Sequence, residues 1–115
     1  MHELSIAMSI LEAVEEEAGR HLPAKVTAVH LKIGPLSGVV PSALISAFEL
    51  ITENTEFRIC RMVIEETPIL IHCPTCRTER SVESIQQMSC TVCGTATADV
   101  ASGRELDVCA MEICE

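Results

Sequence analysis

The chain contains no Trp and no Tyr, and only two Phe, Phe48 and Phe57. Its core must therefore be aliphatic, and it has almost no ring faces on which nucleic-acid bases could stack. Lys and Arg together number 8 against 17 Asp and Glu, a formal charge of −9. So acidic a chain lacks the basic footprint that phosphate backbones and anionic lipids require. No run approaches the roughly 20 apolar residues of a membrane span. The opening MHELSIAMSI has no positive region leading into an apolar stretch and a cleavage site, so a cytoplasmic protein is expected.

What is present is aliphatic and cysteine-rich. The 115 residues are 48% hydrophobic and 22% charged, as in soluble globular domains. Leu4, Ala7, Met8, Leu11, Val14 and Ala18 recur at three- and four-residue steps and predict a helix over 4–20, ended by Gly19 and Pro23. KVTAVHLKI at 25–33 alternates and predicts a strand with one apolar face, carrying Val29, Leu31 and Ile33. GPLSG at 34–38 is a turn signal. Pro41 suits the first turn of a second helix, with Leu44, Ala47, Phe48 and Ile51 on its stripe.

FRICRMVIEE at 57–66 and RELDVCAMEIC at 104–114 predict two more strands, which would bury Cys60 and Cys109 as small hydrophobes. Between them, 69–103 is poor in large apolar residues and rich in Ser, Thr and Cys. The expected architecture is α+β: a three-stranded sheet with two helices, plus an inserted zinc-ribbon-like domain. The expected boundaries are 1–68 with 104–115 for the discontinuous α+β domain and 69–103 for the insertion.

The insertion carries the strongest chemical signal. Cys73-Pro-Thr-Cys76 and Cys90-Thr-Val-Cys93-Gly94 are separated by thirteen residues. Two residues between thiolates let both sulfurs of one turn face a single ion, and a second such turn completes the tetrahedron that Zn(II) accepts. Seven Cys is an odd count, and in a reducing compartment paired CxxC motifs indicate metal binding rather than disulfides. A redox CxxC usually stands alone at a helix start, and an iron–sulfur cluster is the other rival. Four Cys ligands leave no open position for catalysis. Arg77 and Arg80 follow the first pair and are candidates to offset the thiolate charge; ordinary solvated arginines are the equal alternative.

The start, Met1-His2-Glu3, is a second candidate metal site. An amine, an amide nitrogen and an imidazole can form adjacent chelate rings in one plane, with Glu3 closing the square. Such nitrogen-rich sites suit Ni(II) or Cu(II). Alone, this signal is weak, and an inert start is the commoner reading.

Together, MHELSI, VHLKIGPLSGV at 29–39, LISAFELITENT at 44–55, VIEE at 63–66, the CPTC and CTVC pair, and GRELDVCAMEI at 103–113 resemble the hydrogenase maturation factor HypA family. The resemblance implies a nickel metallochaperone, not an enzyme. It implies Ni(II) cargo at Met1, His2 and Glu3, and structural Zn(II) at Cys73, Cys76, Cys90 and Cys93. It further implies a HypB-type GTPase and the [NiFe]-hydrogenase large subunit as partners, with urease maturation proteins as a further class. Some relatives carry an acid in the loop after the Ile-Gly dipeptide; here Leu36–Val40 has none. Others use a His in the zinc region, and the nearest here is His72. The alternative reading is a zinc-ribbon module that binds protein or nucleic acid, against which the charge and the missing aromatics weigh.

Overall fold

The computed structural model describes residues 3–115. In chain order the elements are α1 (Glu3–Arg20), β1 (Lys25–Ile33), a 3₁₀ turn (Pro35–Ser37), α2 (Pro41–Thr52), a second 3₁₀ turn (Glu56–Ile59), β2 (Arg61–Glu66), β3 (Ile69–Cys73), β4 (Thr78–Val82), β5 (Val100–Ser102) and β6 (Leu106–Cys114). Two three-stranded sheets form, in the orders β2-β1-β6 and β4-β3-β5. The class is α+β, as expected. No helix is long and apolar enough to cross a membrane among the described residues.

The chain separates into two compact units: 1–31, 39–65 and 107–115 form one, and 32–38 and 66–106 the other. In the first, α1 packs against α2. The buried face of α1 is Ile6, Ala7, Ile10 and Val14. This is rotated from the expected stripe: Ala7 and Val14 are shared, but Leu4 and Met8 are 44% and 53% exposed. The helix carries two overlapping apolar rows, and spacing alone does not rank them. β-Branched Ile6 and Ile10 around the fully buried Ala7 form the face that packs. In α2, Leu44 and Phe48 are buried as expected, and Pro41 begins the helix. The Thr52 hydroxyl donates to the Phe48 carbonyl at 2.8 Å, so this buried polar group is satisfied.

β1 runs over the expected residues, but both of its faces hold buried side chains: Val29, Leu31 and Ile33 on one, Val26 and Ala28 on the other. Gly34 N bonds Glu105 O, Cys109 Sγ donates to His30 O, and Thr27 Oγ1 donates to Glu112 O. As the β1 position rises the β6 position falls, the order of an antiparallel pair. β6 is an outer strand, and Cys109 on it is exposed, contrary to expectation. Alternation gives a strand two faces but does not guarantee that anything covers them. Cys60 is buried as expected. Residues 56–59 form a 3₁₀ turn rather than the start of β2. Thr55 caps that turn by accepting from Phe57 N at 3.1 Å, which binds the chain locally before it can extend.

The second unit has a small core: Ile69, Ile71 and Val82, with Leu36 and Met88 half-buried against it. Leu36 reaches it because 34–36 zips to 103–105. Gly34 N donates to Glu105 O at 2.9 Å, and Leu36 N to Gly103 O at 2.7 Å. Glu105 Oε1 accepts from Thr67 Oγ1 at 2.7 Å and from Gly103 N at 2.8 Å. The Thr67 hydroxyl chiefly, with the backbone N–H donors and nearby Lys32, holds the Glu105 carboxyl below its ordinary range. A Cβ on Gly34 would run into the Gly103 carbonyl, and Gly103 itself sits at φ 118, where L side chains are strained.

Gly34→Ala is therefore expected to destabilise the protein by roughly 3 kcal/mol or more, because backbone on both sides must move. Gly19→Ala, with nothing within 4 Å of the added carbon, should stabilise α1 by about 0.5–1 kcal/mol. Urea midpoints of the two variants against the native chain measure both.

Candidate metal centre

β3 ends at Cys73 and the chain turns at once; β4 then pairs antiparallel with β3, Cys73 opposite Thr78 and Ile69 opposite Val82. The tight hairpin places the first CxxC at the sheet's end. In that turn Cys76 N donates to Cys73 Sγ at 3.3 Å, and Arg77 N donates to Cys73 O at 2.8 Å. The second CxxC repeats the geometry. Cys93 N donates to Cys90 Sγ at 3.4 Å, and Gly94 N to Cys90 O at 2.9 Å. The residue after each pair takes a left-handed conformation, Arg77 at φ 55 and Gly94 at φ 77. Gly94 adopts it without a Cβ penalty. Arg77 adopts the same conformation against its own preference.

The four sulfurs of Cys73, Cys76, Cys90 and Cys93 all lie within 4.8 Å of one another. Cys73 and Cys93 are 3.5 Å apart, and Cys76 and Cys90 are 3.9 Å apart. A tetrahedron with 2.3 Å zinc–sulfur bonds has edges of about 3.8 Å, so the donor set fits Zn(II) in both chemistry and size. Cys73 and Cys90 are buried, Cys76 is half-buried and Cys93 is exposed.

The sulfurs do not share charge equally. The Cys93 N–H first, then the Val92 N–H and Arg80, bring the Cys90 thiol down to about 5. Thr95, through hydroxyl and backbone, also lowers Cys93. Hydrogen bonding with the Cys93 sulfur pushes Cys76 up to about 11. Two threonines that the sequence reading did not single out tie the turns together. Thr75 Oγ1 and Thr95 Oγ1 are 3.0 Å apart, and Thr95 Oγ1 lies 3.1 Å from Cys93 Sγ. Their position inside or just after each CxxC was the available signal.

Of the amino-terminal candidates, Met1 and His2 lie outside the described residues. Glu3 opens α1, and its Oε2 accepts from Val40 N, the residue capping α2, at 3.4 Å. The structure thus brings the first acid of the chain to Val40, at the head of α2. His72 sits in β3, where its backbone N–H donates to Asp99 O at 2.8 Å; its side chain is not part of the four-sulfur group.

The HypA family model, described as hydrogenase/urease nickel incorporation, metallochaperone, matches residues 1–113. A hydrogenase maturation factor HypA of Roseiflexus sp. is 40% identical over 112 residues, spanning 97% of this chain and 91% of the relative. A HypA of Geotalea uraniireducens is 40% identical over 113 residues, spanning 98% and 99%. The solution structure of the Ni metallochaperone HypA from Helicobacter pylori superposes with a TM-score of 0.63 at 24% identity, covering 98% of this chain and 97% of that one. A second HypA solution structure gives 0.71 at 23% identity, covering 99% and 97%.

Removing the metal with a strong chelator is expected to unfold 66–106 while α1 and α2 persist, because three buried aliphatic side chains cannot offset the entropy of ordering that unit. Zinc binding to such sites supplies roughly 10–16 kcal/mol of apparent free energy at neutral pH. Hydrogen exchange read separately for the two units checks this. Rebinding should release protons, the one on Cys76 among them, so zinc affinity rises with pH and the binding heat varies with buffer.

Proposed function

We propose a nickel-delivery role from one premise: this chain belongs to the HypA family, hydrogenase/urease nickel incorporation metallochaperones. The observation that carries the proposal is the family match running from residue 1 to residue 113, so that the amino-terminal residues and both CxxC pairs lie within it. The chain binds Ni(II) as cargo through Met1, His2 and Glu3 and passes it to the immature [NiFe]-hydrogenase large subunit. A HypB-type GTPase is the companion, and urease maturation proteins are a second outlet. The chain acts as a carrier, not a catalyst, in the cytoplasm.

Cys73, Cys76, Cys90 and Cys93 hold Zn(II), which supplies a tetrahedral cross-link between two turns and no reaction. The nitrogen donors at the amino terminus suit a square-planar ion, whereas the four-sulfur site suits a tetrahedral one, so the two metals sort by geometry. A site with few ligands at the chain start suits transfer, because acceptor groups can replace those ligands one at a time. Glu3 is held near the start of α2 by Val40 N, which supports a carboxylate at a fixed place beside the two preceding residues.

Nickel titration of zinc-loaded protein tests this. Protein that starts at Met1 should bind one Ni(II), and an amino-terminal extension or His2→Ala should weaken binding at least about tenfold. Equal binding by all three removes the terminal site. Amine and imidazole must both lose protons to bind, so affinity should fall as pH drops through the histidine range near about 6.5.

A further inference from the structure

Arg80 occupies a position where a charge is out of place. In the β3–β4 hairpin, residues directly opposite share a face. Ile69, Ile71 and Cys73 pair with Val82, Arg80 and Thr78. Ile69, Ile71, Cys73 and Val82 are all buried, so Arg80 stands on the core side, between Thr78 and Val82 and opposite the fully buried Ile71. Its Nε is buried without a hydrogen-bond partner. No salt bridge to a carboxylate involves it among the described residues. It lies diagonally across the hairpin from Cys73 on the same face, within reach of a long side chain, and Cys73 belongs to the four-sulfur group. The sulfurs of Cys90 and Cys76, one from each CxxC turn, raise its pKa, as anionic or accepting neighbours do. Arg77, the other arginine after the first pair, instead serves the turn with its backbone.

We infer that Arg80 is a positioning residue for the four-sulfur centre: an inward-facing cation, built into β4, that bridges the two CxxC turns and offsets the charge of the thiolates when Zn(II) is bound. Four thiolates around one divalent ion leave a net charge near −2, and desolvating it beside an aliphatic core is costly. The planar guanidinium can meet two sulfurs at once, which a point charge cannot do as well. The sheet register holds the group there before metal arrives, so little side-chain freedom is lost on binding. This rests on the four-cysteine zinc reading above.

Zinc affinity from competition with a chromogenic chelator, on the full chain, is the test. Arg80→Met keeps the apolar stem and removes the charge. It should weaken zinc about 10–100-fold, the range typical for groups that support metal ligands. Arg80→Lys should fall between Met and native, and Arg77→Met should match native. In Co(II)-loaded protein the sulfur-to-metal charge-transfer band should move to lower energy for Arg80→Met only, because lone pairs without a nearby cation are easier to ionise. A merely structural role would not move that band. Native affinity in Arg80→Met, or an Arg80→Lys as weak as Arg80→Met, overturns the inference. Should Arg80→Met not fold with zinc in excess, Arg80→Lys decides: a loss below about tenfold supports a cation, and a loss of about tenfold or more refutes it. If native protein takes up no zinc, the four-cysteine reading itself fails.

Discussion

Four sulfurs held within 4.8 Å of one another govern the second unit of this protein. Their surroundings shift them in opposite directions: Cys90 is drawn down by N–H donors, and Cys76 is driven up by hydrogen bonding with Cys93. A metal bound there would close a unit whose aliphatic core is small: Ile69, Ile71 and Val82, with Leu36 and Met88 half-buried against them. The turns are prepared for it by backbone N–H groups, the left-handed residues 77 and 94, and the Thr75–Thr95 contact. The sheet supplies Cys73 at one strand's end and Arg80 across the hairpin.

The other unit is held by ordinary packing. Ile6, Ala7, Ile10 and Val14 of α1, Leu44 and Phe48 of α2, and both faces of β1 provide the burial. The consequence for function is positional. α1 starts at Glu3, and Glu3 is tied to Val40 N at the head of α2. The two halves thus follow different stabilising principles, covalent-like cross-linking by an ion in one and aliphatic burial in the other.

Much of this was legible in the residues, for identifiable reasons. CxxC spacing dictates a local turn, so the gathering of the four sulfurs followed from chemistry that acts over three residues. The limits of β1 and the start of α2 at Pro41 followed from alternation and from proline's missing N–H. The face of α1 did not, because Leu4 and Met8 compete with Ile6 and Ile10 at the same period and only the partner surface chooses between them. Residues 56–59 were misread because Thr55 captures Phe57 N, a contact that outweighs a strand-like composition.

By itself the sequence determined what depends on spacing along the chain: an aliphatic α+β class, an acidic surface, paired sulfur turns, and a His and a Glu behind the first Met. Only the tertiary structure decided what depends on register and on segments distant in the chain. It placed Leu36 in the core of the second unit, required Gly34 to lie bare against the Gly103 carbonyl, and left Cys109 exposed on an outer strand. It also turned Arg80 inward by β3–β4 pairing, opposite the buried Ile71, while the backbone of Arg77 is used in making the turn.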